Sequence, residues 1–141
     1  MLCVDTSFLF SLYRRDTHSA SAHARLAKAA QALLLSPFNE LELSNALRLA
    51  EFQGLLPSGE SDLRIAAFAE DHAAGRWRRS ECGLDEIVAE AGRLSATYTT
   101  TKGHRAFDIL HVAHARLTGS SLFLSFDVNQ LRLAKAVGLR C

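Results

Sequence analysis

An α/β domain with a central, mainly parallel sheet and helices on both faces is the fold this sequence predicts, and three observations predict it. Short apolar runs alternate with long stretches of helical periodicity, and parallel strands need crossovers of that length. The runs are apolar without alternation, as strands covered on both faces are. Asp5 and Asp127 stand where a strand hands over to a helix, at the edge where open α/β sheets bind ligands.

The first strand is Leu2-Cys3-Val4, followed by the capping residues Asp5-Thr6-Ser7 and by Phe8, Leu9, Phe10 and Leu12 on a first helix. Residues 18–32 are rich in alanine, with Leu26 and Leu33 at helical spacing, and residues 32–36 read as a buried parallel strand. Pro37 suits a turn or first helical position, and Leu41, Leu43, Ala46, Leu47 and Ala50 mark a helix that runs to Phe52 and stops at Gln53-Gly54. After Pro57, residues 58–74 form another helix with Leu63, Ile65, Ala66 and Phe68 on its apolar face, ended by Gly75. Residues 76–79, Arg-Trp-Arg-Arg, read as a solvated loop or edge strand. A further helix spans 84–98, and residues 99–103 form a polar break. Phe107, Ile109, Leu110, Val112, Ala113 and Leu117 define a strongly apolar helix ending at Gly119, residues 120–125 a strand, and Asp127 opens a last helix closed by Gly138.

A length of 141 residues predicts one domain, 1–141. Apolar residues at 48% and charged residues at 22% exclude a disordered or fibrous chain. Cys3, Cys82 and Cys141 form no CxxC pair, so neither a disulfide framework nor a zinc site is expected, and a reducing cytoplasm fits. No apolar run approaches the roughly 20 residues of a membrane-spanning helix. Leu2 to Leu12 lacks the basic start and small-residue exit of a secretion signal. The formal net charge of +1 neither favours nor excludes nucleic acid, because distribution decides that.

Four acids carry the chemistry. Asp5 and Asp127 each read as a helix N-cap or as a ligand at the strand end. Glu42 sits among Leu41, Leu43 and Leu47, either as a half-exposed glutamate favoured by a helix N-terminus or as a functional group near the apolar side. Asp108 is the sharper signal, a lone carboxylate in an otherwise apolar stretch, 106–115, that needs a partner such as Arg105 or a cation. Carboxylates gathered at one sheet edge repel one another, and a divalent cation keeps them ionised. Oxygen ligands favour magnesium, with manganese able to substitute, over zinc. His111 and His114 lack a third nitrogen or sulfur ligand and read as packing and surface residues.

The order Val4-Asp5-Thr6-Ser7, Pro37 with Glu42 and Asn45-Ala46-Leu47, Arg105 to Ala115, and Ser125-Phe126-Asp127 resembles PIN-domain VapC toxins over nearly the whole chain. Most specific are Arg105-Ala106-Phe107-Asp108-Ile109-Leu110-His111-Val112-Ala113 and Phe126-Asp127-Val128-Asn129-Gln130. The resemblance implies a three-layer α/β/α fold and an acidic site of Asp5, Glu42, Asp108 and Asp127. It implies magnesium-dependent RNA cleavage leaving a 5′ phosphate and a 3′ hydroxyl, a small antitoxin partner that masks the site, and a homodimer. Thr6, Ser7 and Ser125 fall where hydroxyls support such a site, and Asn129 where an amide orients water or metal. An antitoxin helix would dock near Phe8, Leu12 and Leu47.

RNA must be held beside a negative site, so basic residues should flank it: Arg14, Arg15 and Arg105 foremost, with Lys102, Arg76, Arg78 and Arg79 as further candidates. Trp77 among three arginines could stack on an unpaired base. Other α/β enzymes fall away, since the chain has no GxxxxGK or GxGxxG loop and no second aspartate after Asp5 for a DxD phosphotransferase. A receiver domain would show two adjacent early acids and a late lysine, and neither is present. The remaining rival is a non-catalytic module that binds a partner protein or RNA.

Overall fold

The computed structural model describes Met1–Cys141. In chain order the elements are β1 (Leu2–Val4), α1 (Thr6–Tyr13), α2 (Ser19–Ala29), β2 (Leu33–Leu35), α3 (Pro37–Phe52), α4 (Glu60–Ala73), β3 (Trp77–Arg79), α5 (Leu84–Lys102), α6 (Ala106–Leu117), β4 (Leu122–Leu124) and α7 (Val128–Ala136). The sheet has the order β3-β2-β1-β4 and every pairing is parallel. Leu2 pairs with both Leu33 and Leu122, and Leu33 with Trp77.

Side chains alternate along a strand, so each strand feeds two cores. Leu2, Val4, Leu33, Leu35 and Leu124 join Phe8, Leu9, Ala22, Leu43, Leu47 and Phe68 from α1 to α4. Cys3, Leu34 and Phe123 join Ile87, Leu94, Ile109, Val112 and Leu133 from α5 to α7. The two helical layers with the sheet between them make the expected α/β/α sandwich. Each fully buried large apolar side chain contributes roughly 1.5–3 kcal/mol.

The strand order determines where a ligand goes. From β1 the chain adds β2 and β3 on one side and then returns to place β4 on the other. The gap beyond the carboxyl ends of β1 and β4 is therefore a topological switch point.

Three local readings need correction. Residues 76–79 supply the edge strand β3, and Trp77 is 3% exposed, stacked on Phe68 and donating from Nε1 to the Phe68 carbonyl at 2.8 Å. It is therefore a core residue and unable to stack on a base, while Arg76 and Arg79 pair with Asp71 and Glu40. Helix α5 runs through the threonines to Lys102 and ends at Gly103, whose φ of 67° is left-handed. Threonine costs a helix only a few tenths of a kcal/mol, and Thr101 Oγ1 bonds back to the Tyr98 carbonyl at 3.1 Å. The expected docking surface is absent, because Phe8 and Leu47 are fully buried and Leu12 packs on the same core.

Candidate active site

Asp5 leaves β1 with its backbone N–H donated to the Leu124 carbonyl at 3.1 Å, which ties the end of β1 to β4. Its side chain caps α1: Oδ1 accepts from the Phe8 N–H at 2.8 Å. Oδ2 accepts from Ser7 Oγ at 2.6 Å and lies 2.9 Å from Ser125 Oγ. At 4% exposure, burial pushes the Asp5 carboxyl above its ordinary range, and these hydrogen bonds with the charge of His111 oppose the rise.

Ser125 follows β4 and works on both sides. Its hydroxyl accepts from the Asp127 N–H at 2.9 Å and lies 3.1 Å from Gln130 Oε1. Gln130, 1% exposed on α7, donates from Nε2 to the Asp108 carbonyl at 3.1 Å. The Gln130 backbone N–H also donates to Asp127 Oδ1 at 2.8 Å, making Asp127 the N-cap of α7. Gln130 thus links the supports of Asp5, Asp108 and Asp127. Sequence reasoning passed over it, although Gln130, Leu133, Ala134 and Val137 share one helical face and a polar residue on an apolar face requires a partner.

Glu42 is placed by α3. Buried Asn39 donates from Nδ2 to the Val4 carbonyl at 3.1 Å, pinning the start of α3 to the end of β1 one turn before Glu42. Glu42 Oε2 then accepts from Thr6 Oγ1 at 2.8 Å and lies 2.5 Å from His111 Nε2. Burial raises the Glu42 carboxyl, but the hydrogen bond and charge of His111, with Thr6, outweigh it and leave it below its ordinary value. His111, 3% exposed, is part of this site and not a simple packing residue, while its Nδ1 has no hydrogen-bond partner.

Asp108 lies in the first turn of α6, half-buried. Burial, then the charge of Asp127, raises its carboxyl, with Asp5 adding to the rise and Arg105 and His111 opposing it. Asp5 and Asp127 thus act on Asp108 within one electrostatic neighbourhood, which Thr6 and His111 border through their contacts to Glu42. No three of the acids, histidines and cysteines converge closely enough to hold an ion as they stand. The donor chemistry fits a hard divalent cation: oxygen donors, an Asp108 carboxylate without a hydrogen-bond donor, and a repulsion that a cation would relieve.

Thr6, Ser7 and Asp127 also line an open groove of about 460 Å³ with Phe10, Asp16 and Phe126. Arg14, half-buried, lies over the Phe10 ring at 5.5 Å, and Arg15 is exposed nearby in the chain. Arg105 is exposed at the start of α6. The Asn129 amide points to the carbonyls of Lys102 and Gly103, at 3.5 and 3.4 Å, rather than to a carboxylate. No helix is long and apolar enough to cross a membrane.

Comparison with known proteins agrees with this architecture. No curated protein matches the chain in sequence. Among solved structures it is similar to the VapC20 toxin of Mycobacterium tuberculosis, described as cleaving the sarcin-ricin loop, at a TM-score of 0.71 and 18% identity, over 99% of this chain and 96% of that one. At such identity the likeness speaks to the fold. The PIN domain profile matches residues 2–136, nearly the full length, and with this sheet order and helical sandwich the chain belongs to the PIN domain family.

Proposed function

We propose that the chain is a divalent-metal-dependent endoribonuclease, a VapC-type toxin that hydrolyses RNA phosphodiester bonds. The observation that carries this reading is the grouping of Asp5, Asp108 and Asp127 around the β1/β4 switch point, where burial first, and then the charges of Asp127 and Asp5, destabilise Asp108 as an anion. Asp5 and Asp108 would hold magnesium or manganese, with Glu42 and Asp127 completing the site directly or through water. The chemistry that a bound ion supplies is acidification of water and neutralisation of charge on the phosphate.

The chain's own residues do the rest. Ser7, Ser125 and the Phe8 N–H hold Asp5 in one orientation, and Thr6 with His111 holds Glu42 by Oε2. Gln130 keeps the starts of α6 and α7 in register. Arg14, Arg15 and Arg105 offset the negative site and position the RNA backbone. An antitoxin partner and a homodimer belong to this reading through the resemblance of the chain's motifs to VapC toxins, with RNA as substrate.

One observation favours the second reading, a non-catalytic module binding a partner protein or RNA: Asp5 and Asp127 both serve as N-caps, and no three ligands converge. Cleavage of purified RNA by wild type, Asp5→Asn and Asp108→Asn, with magnesium, with manganese and with a chelator, separates the two. Metal-dependent cutting lost in both variants is expected, and no cutting in any metal would favour the binding module.

A further inference from the structure

A second cleft lies between the end of α5 and α7, enclosing about 310 Å³ and lined by Tyr98, Lys102, His104, Arg132, Leu133 and Ala136. Lysine, histidine and arginine meet there and no carboxylate is in the lining. Lys102 and Arg132 form no ion pair, so neither charge is compensated by a carboxylate of this chain. Two uncompensated cations sharing a cleft repel each other, and an anion between them reverses the sign of that energy. His104, 8% exposed, is a buried member of the lining.

The cleft's position ties it to the acids. Lys102 and His104 lead straight into α6, whose first turn carries Asp108, and Arg132 lies on α7, whose cap is Asp127. Asn129 joins the two walls by its contacts to the Lys102 and Gly103 carbonyls. An RNA strand with one phosphate at Asp108 and Asp127 would have these walls beside it, because Arg132 shares α7 with the Asp127 cap and Lys102 and His104 stand just before α6. Lys102 and Arg132 offer donors only, and no carboxylate in the lining accepts from a base edge, so the cleft suits phosphate oxygens and supplies affinity and register without sequence preference.

We propose that the cleft formed by Lys102, His104 and Arg132 is a phosphate-binding subsite that grips a backbone phosphate flanking the one presented to the acids. The proposal rests on the ribonuclease reading of the neighbouring carboxylates. Its test is binding of a fluorescent single-stranded RNA of mixed sequence, in chelator to prevent cutting, by wild type and by the double variant Lys102→Gln/Arg132→Gln across a salt series. Both residues are exposed, so the fold is not at risk, and circular dichroism checks it.

The double variant is expected to bind about ten-fold more weakly at low salt, with a log–log salt slope shallower by about 1.4, at roughly 0.7 per phosphate contact on a single strand. Unchanged affinity and slope in the variant would overturn the subsite while leaving the nuclease reading intact. Loss of binding to an acidic peptide with RNA binding retained would overturn it in favour of a protein partner. A wild type that neither binds RNA in chelator nor cuts it in metal would overturn both readings together.

Discussion

His111 Nε2 of α6 lies 2.5 Å from Glu42 Oε2 of α3, and the Thr6 hydroxyl of α1 reaches the same oxygen at 2.8 Å. Three helices therefore meet on one carboxylate oxygen. Partners that orient ligating carboxylates are worth about ten- to a hundred-fold in metal affinity. His111→Ala is expected to weaken manganese binding by about that factor, measured by calorimetry or electron paramagnetic resonance, and His111→Gln to restore part of it. Equal affinity in all three proteins would mean that Glu42 needs no such support.

Gln130 is the amide that bridges Ser125 and the Asp108 carbonyl. Gln130→Met keeps the approximate volume but removes the side-chain donor to the Asp108 carbonyl and a partner of the buried Ser125 hydroxyl. The expected loss is about 1–3 kcal/mol of folding stability, read from urea unfolding with an unchanged m-value. A loss within experimental error would show that this bond contributes nothing net.

Burial first, and the charge of His111 second, pull the His114 imidazole down from 6.5 to about 4. The unfolded chain takes up this proton near pH 6.5 and the folded protein only near pH 4. His114 therefore costs nothing above 6.5, and stability falls as pH drops from there toward 4. Asp5 and Asp108, both raised, slope in the opposite direction on acidification. The useful quantity is thus the difference between wild type and His114→Leu. Between about pH 7 and about pH 5 the wild type should lose about 2 kcal/mol more than the variant, and parallel pH profiles would contradict the assignment.

Ala30 ends α2 in the left-handed region at φ 48°, with its N–H on the Leu26 carbonyl. A Cβ in that conformation costs roughly 1–2 kcal/mol, and glycine gives back part of the relief through its looser unfolded state. Ala30→Gly is expected to stabilise the protein by about 0.5 kcal/mol, seen as a higher urea midpoint. A lower midpoint would mean that the alanine is not strained there.

Much of the fold was legible because its elements are signalled locally. Pro37 and Phe52 bound α3 where the spacing of Leu43, Leu47 and Ala50 places it, and Gly119 and Gly138 close the last two helices. The edge strand at Trp77 was harder to read, since an Arg-Trp-Arg-Arg stretch looks solvated until Phe68 and His72 are stacked on its indole. The threonines before Gly103 look like a break because β-branched residues are weak helix formers, whereas packing of α5 on α6 carries the helix through them.

Periodicity, caps and breakers act over a few residues, and they were enough to read the α/β class, a mainly parallel sheet and the strand and helix ends on which Asp5 and Asp127 sit, whereas the pairing of every strand in parallel came from the fold. The partners of those acids come from long-range packing. His111 and Glu42 are 69 positions apart and Ser125 and Asp5 are 120 apart, and such pairs leave no local pattern to read. Likewise Phe8 and Leu47 became core and Gln130 became a link between helices because burial is set by how the layers close over the sheet. The physical reason is that backbone propensity is a property of neighbours in the chain, whereas desolvation and hydrogen-bond satisfaction are properties of neighbours in space.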